Sequence, residues 1–125
     1  MARTYQHHMI VRQEHLNQYG NLFGGHVLGV IDELAFIACA RTYPGRNFLT
    51  RAVRDAEFTV PARLGALLQF DFGIERVGNT SVQVGVTMRI VPADGGPPVT
   101  SFDGTVVMVC VDALGRPTRV EGTEV

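Results

Sequence analysis

The sequence predicts an α+β fold in which a curved antiparallel sheet wraps around one long central helix. Two observations carry this. From Leu22 to Ala40, 13 of 19 residues are apolar, which is the mark of a helix buried on nearly every side. Beyond Pro44 and Gly45 the apolar period changes to two, and four strand-like runs follow. Short turns between such runs require antiparallel neighbours. One helix cannot cover both faces of a flat sheet, so the sheet must curl round it.

Each element has its own signal. Thr4 to Val11 predicts a first strand. Glu14 to Leu22 is polar and carries Asn17, Gly20 and Asn21, so it predicts a loop. Gly24 and Gly25 open the helix, and Pro44 with Gly45 breaks it. Phe48 to Val60 is rich in β-branched residues and is closed by Pro61. Ala66 to Val77 places Leu68, Phe70, Phe72 and Ile74 at every second position. Gly78-Asn79 is a turn, and Thr80 to Val91 alternates again through Val82, Val84, Val86, Met88 and Ile90. Asp94 to Pro98 turns the chain into a last strand, Val99 to Val111.

Composition bounds the function. The 125 residues make one expected domain, 1–125, with 46% hydrophobic and 18% charged residues, as in a folded globular protein. A formal charge of −1, with no cluster of Lys and Arg among aromatics, gives no reason to expect nucleic acid. Met1 to Arg12 lacks the apolar run of a secretory signal. The longest uninterrupted apolar run in the helix, Leu34 to Ala40, is seven residues, too short to span a membrane. Cys39 and Cys110 have no paired spacing and read as reduced core thiols. A cytoplasmic protein without membrane partners is therefore expected. A chain this short, with one helix as its core, is expected to pair with a second copy.

The chemistry concentrates in the helix. Asp32 and Glu33 are the only charges between Leu22 and Ala40. A carboxylate in an apolar segment is costly, which makes either a candidate for catalysis. Helical periodicity does not choose between them. Gly24 and Gly25 would bring unpaired helix N-terminal N–H groups, ready to stabilise a developing negative oxygen. Asp32 lies roughly 11–12 Å along the axis from Gly24 at ~1.5 Å per residue, so one subunit's Asp32 would not easily reach a carbonyl at its own Gly24. A partner with an antiparallel helix would. His7, His8, His15 and His26 show no metal-ligand spacing, and no metal or cofactor is expected. Thr80 and Ser81 lack the companions of a serine hydrolase.

The order Asn17-x-x-Gly20-x-Leu22-Phe23-Gly24-Gly25, followed by Asp32, resembles the hotdog-fold acyl-CoA thioesterases of the acyl-CoA hydrolase type. Thr50, Phe58-x-x-Pro61, Leu64-Gly65, Val77 to Ser81 and Val111-Asp112-x-x-Gly115-Arg116-Pro117 match in order, over about residues 8 to 118. The resemblance implies hydrolysis of an acyl-CoA to an acid and CoA at a dimer interface. It assigns catalysis to Asp32 as base or nucleophile, selecting it over Glu33. It adds the backbone of Gly24 or Gly25, and Asn17 from the facing subunit. It implies substrate binding by Thr50, Gly78, Thr80 and Ser81, and assembly as a dimer, or further as a tetramer or hexamer. Two positions depart from the pattern. Asn79 stands where family members usually carry Arg, and Phe36 where some carry a hydroxyl. Two other readings stay open on the same fold: a non-catalytic acyl-CoA or acyl-carrier binding module, and an enoyl-thioester hydratase.

Overall fold

The computed structural model describes residues 5–121. Five strands and one helix follow in chain order. They are β1 (Tyr5–Ile10), α1 (Gly24–Thr42), β2 (Asn47–Phe58), β3 (Leu67–Val77), β4 (Ser81–Val91) and β5 (Val99–Val111). A single 3-10 turn, Gln13–His15, interrupts the loop expected between β1 and α1. Thr4, placed by the sequence in the first strand, lies outside the described residues.

All five strands form one antiparallel sheet in the order β1-β3-β4-β5-β2. The alternation read from the sequence sets its inner face. Phe70 pairs with Met88, Met88 with Phe102, and Val84 with Val106, and all of these side chains are buried. Against them α1 buries Val27, Ile31, Leu34, Ala35, Ala38 and Cys39, which recur at helical spacing. Burying a side chain such as Ile31 contributes about 1.5–3 kcal/mol. After the helix the chain turns at Gly45, whose φ of +82° suits glycine.

Two expectations need correction. The helix is not buried on all sides. Leu28, Phe36 and Ile37 are exposed in the single chain, because one five-stranded sheet covers one helix face only. Nor are the four later strands a simple succession of hairpins. β2 and β3 lie on opposite sides of the sheet, and β2 pairs with β5 at the edge. The eight residues between them, Thr59 to Ala66, are longer than an ordinary hairpin loop. They cross the end of the sheet beside the helix N-terminus. Thr59 N–H donates to Ser101 O (2.9 Å), Leu22 N–H to Ala62 O (2.7 Å) and Gly65 N–H to Val11 O (2.9 Å). This crossing builds one wall of the site described next.

Strand β2 carries an irregularity between Arg54 and Glu57, with Asp55 at φ +52°. Asp is among the few residues that tolerate this left-handed conformation. A bulge bends its strand and re-aims the residues beyond it. Here it brings the Phe58 ring 4.9 Å from that of Phe102.

Candidate active site

The N-terminus of α1 is uncapped. Phe23 occupies the cap position without a side-chain bond, and the first turn has no acidic residue. His26 and Val27 N–H return to Phe23 O at 3.0 and 3.3 Å. Among the described residues, no acceptor takes the N–H of Gly24 or Gly25. Two donors at the positive end of the helix dipole are thus left for a ligand. The absence of Cβ matters differently at the two glycines. At Gly25 a Cβ would meet the Phe23 ring at 2.5 Å, so glycine lets that ring fold over the first turn. At Gly24 it would lie 3.5 Å from the Phe58 ring, an ordinary contact.

The loop before the helix is shaped by Asn17. Its Oδ1 accepts from Tyr19 N–H (2.9 Å) and Asn21 N–H (3.1 Å). Its backbone N–H donates to Asn21 O at 2.7 Å. Both side-chain bonds use Oδ1, so the Nδ2 hydrogens are what Asn17 can offer a ligand. Asn17 and Gly24 line one cavity of about 310 Å³, together with Leu22, Val27, Phe58 and Met88. Asn21, in the same wall, has a buried Oδ1 with no partner.

Asp32 lies two turns further along α1 and is not part of that lining. It is half-buried, whereas Glu33 is exposed. Thr50 of β2 donates its hydroxyl to Asp32 Oδ1 in a short hydrogen bond. Periodicity could not separate the two acids, but the fold does: the sheet presents a hydroxyl to Asp32, and no such bond reaches Glu33 among the described residues.

Thr50 also lines a second cavity of about 360 Å³ with Leu49, Arg51, Thr80 and Pro117. Of the residues expected to bind substrate, Thr50 and Thr80 therefore meet, while Gly78 and Ser81 do not line this cavity. They build the turn that holds Thr80: Gly78 N–H donates to Ser81 O (2.7 Å), and Cys110 N–H to Thr80 O (2.8 Å). Asn79 is exposed, and its carbonyl accepts from Val120 N–H at 3.0 Å.

His15 and His26 form a stacked pair beside the helix start, with ring centroids 4.1 Å apart. Arg12 N–H donates to His15 Nδ1 at 3.0 Å. Burial, and then the neighbouring His15, hold the His26 pKa below its ordinary value of 6.5, with Glu14 opposing. Both cysteines are free and buried, and burial pushes the Cys39 thiol up to about 12. Among the described residues no helix is long and apolar enough to cross a membrane.

One helix laid on a β1-β3-β4-β5-β2 sheet is an arrangement the chain shares with solved structures. The family model of the Thioesterase superfamily matches residues 19–93, from the Asn17 loop to the end of β4. The chain belongs to this family. Its fold is the hotdog fold. Over 89 residues, 71% of this chain, it is 33% identical to the acetyl-coenzyme A thioesterase of Rattus norvegicus, of which it spans only 16%. A Staphylococcus aureus acyl-CoA hydrolase, solved with butyryl coenzyme A, coenzyme A and coenzyme A disulfide, superposes with a TM-score of 0.86. Its identity is 24%, covering 94% of this chain and 71% of that one. A hexameric acyl-CoA thioesterase in its apo form gives a TM-score of 0.84 at 26% identity, covering 93% and 74%.

The cavity beside Gly24 is the part of the site that sequence reasoning missed. Phe58 and Pro61 were legible as a motif, but not as a wall. The length of the Thr59-to-Ala66 connection was the signal that β2 and β3 are not partners.

Proposed function

We propose that the chain is a cytoplasmic acyl-CoA thioesterase, acting as one hotdog domain over residues 1–125, whose site is shared between two copies. The observation that carries this reading is the separation of the two halves of the machinery. Asn17 and the free Gly24 N–H face one cavity, while Asp32, with Thr50, lies outside its lining. At ~1.5 Å rise per residue the eight-residue step from Gly24 to Asp32 is roughly 12 Å, beyond the reach of direct attack. The exposed apolar helix face, Leu28, Phe36 and Ile37, supports a second copy that brings its Asp32 to this Gly24. The acyl-CoA names of the relatives and the hexameric neighbour support the substrate class and the assembly.

In this reading the thioester carbonyl points at the N–H groups of Gly24 and Gly25. Asp32 of the other copy, held by Thr50, takes a proton from water as the water oxygen attacks, or attacks the carbonyl itself. The negative charge passes to the carbonyl oxygen, where fixed N–H donors are each worth roughly 3–4 kcal/mol. Collapse expels the CoA thiolate, which takes up a proton; where Asp32 has attacked directly, water then hydrolyses the acyl–aspartyl anhydride, releasing the acid and restoring the carboxylate. The second cavity, with Arg51 and Thr80, accepts the phosphate-bearing end of CoA. A thiol-release assay on a panel of acyl-CoAs tests the proposal. Release is expected, with a rate falling by roughly 10²–10⁴ in Asp32→Asn. No release from any acyl-CoA would sink it.

A further inference from the structure

Resting on that reading, the reaction makes a demand on Thr50 that Met108 is placed to meet. The Thr50 hydroxyl carries a single hydrogen and has two acceptors in reach. One is Asp32 Oδ1, to which it donates. The other is Met108 Sδ, 3.6 Å from Thr50 Oγ1, a weak thioether acceptor. One O–H cannot serve both fully, and the carboxylate is much the stronger of the two. The sulfur is therefore the reserve partner while Asp32 is ionised. Strand register fixes this arrangement. Thr50 and Met108 are cross-strand neighbours on β2 and β5, and Met108, only 1% exposed, lies between Thr50 and Val82. The ladder slips between Thr50 and Ala52, which leaves Arg51 as an extra residue on β2. Such a bulge re-aims its neighbours, and this one stands directly beside the hydroxyl that reaches α1.

We propose that Met108 is a positioning residue of the reaction, whose sulfur receives the Thr50 hydroxyl when Asp32 gives up its negative charge. Asp32 loses that charge on either route, by taking a proton from water or by bonding to the carbonyl carbon of the thioester. A neutral carboxyl accepts a hydrogen bond less strongly than a carboxylate. Where it carries a proton, its O–H also needs an acceptor. Turned toward Met108, Thr50 keeps a partner for its hydrogen and offers its oxygen to Asp32. No covalent bond changes in this movement: the hydroxyl rotates about Cβ–Oγ1, and Thr50 keeps its proton throughout. Without the sulfur, the Thr50 hydroxyl has no second acceptor among the described residues. A hydrogen bond left unmade there disfavours the step. Met108 lines neither the cavity beside Gly24 nor the one beside Arg51, so it acts through Thr50 and not on the substrate.

The test is a double-mutant cycle, with kcat and KM measured on the best acyl-CoA of the panel for Met108→Leu, Thr50→Val and the two together. Thr50 is exposed in the chain, and Leu for Met is among the best tolerated exchanges in a core, so folding is not at stake. Met108→Leu should lower kcat by roughly three- to tenfold and leave KM within about twofold of native. In the Thr50→Val protein, which has no hydroxyl to turn, the same exchange should leave kcat within about twofold. Norleucine in place of methionine, which exchanges sulfur for a methylene at the same shape, gives a second reading: kcat should fall more in the native sequence than in the Thr50→Val protein. An unchanged kcat in Met108→Leu, or equal losses with and without the Thr50 hydroxyl, makes Met108 a packing residue and overturns the inference while leaving the thioesterase reading intact. No thiol release by the native protein from any acyl-CoA overturns that reading, and this inference with it.

Discussion

Asp32 and Glu33 are adjacent in sequence, equally plausible by periodicity, and unequal in the fold. Thr50 hydrogen-bonds Asp32, while Glu33 is exposed. Glu33→Gln should therefore leave kcat within a few-fold of native, against the large loss in Asp32→Asn. Equal losses in the two variants would remove Asp32 from its role. Thr50→Ala should lower kcat by roughly ten- to a hundred-and-fifty-fold, as loss of a hydrogen bond to a charged group worth roughly 1.5–3 kcal/mol does. Thr50→Ser, which keeps the hydroxyl, should recover most of it. A merely structural Thr50 would instead show a lower melting temperature with kcat unchanged. At the CoA end, Asn79 carries no charge, so Asn79→Arg should lower KM for acyl-CoA, and the gain should shrink as salt rises. An unmoved KM at every salt level would take Gly78, Thr80 and Ser81 out of the site. These contacts were legible unevenly. The glycine pair and the acid could be read along the chain. The Thr50–Asp32 bond joins residues 18 apart on different elements, and no periodicity encodes it.

Elements show the same division. β3 and β4 were legible because their apolar alternation is clean, whereas α1 was read from its apolar density and β2 from its β-branched content and Pro61, since β2 buries little along its length. Strand order was not legible, since β2 pairs with β5 across an interval that local pattern does not mark. The all-round apolar helix was read as all-round buried. Its exposed Leu28, Phe36 and Ile37 mark the point at which one chain's sequence stops describing one chain's structure. The start of α1 carries a pH dependence of its own. His26 sits in its first turn, stacked on His15, at the end of the helix where a positive charge is unfavourable. Its folded pKa lies below the ordinary 6.5, so the unfolded chain binds the proton more readily. The stabilisation is thus fully present above pH 6.5 and is lost as the pH falls below it toward the folded pKa. Melting temperatures measured from pH 7 down to 5 should drop, and drop less in His26→Gln. Parallel curves for the two proteins would assign the acid sensitivity elsewhere. Gly24→Ala should keep the melting temperature, since its Cβ meets Phe58 at ordinary contact distance, yet lower activity by placing a methyl in the wall of the site.

At the scale of the whole molecule, one chain sets Asn17 and Gly24 in one cavity and Asp32 outside its lining, and leaves Leu28, Phe36 and Ile37 exposed on the helix. In the proposed dimer a second copy covers Leu28, Phe36 and Ile37 and sets Asp32 of one copy against Gly24 and Asn17 of the other. The fold was expected from the sequence and matches that of the acyl-CoA hydrolases, but a shared site is a statement about two chains and needs a measurement on two. Asn17→Ala and Asp32→Asn proteins, each inactive alone, are mixed under conditions in which subunit exchange is followed independently by a label. Each mixed dimer contains one site with both residues intact, so equimolar mixing should restore about a quarter of native activity. Exchange demonstrated by the label, with activity remaining at the level of the single variants, would contradict the shared site.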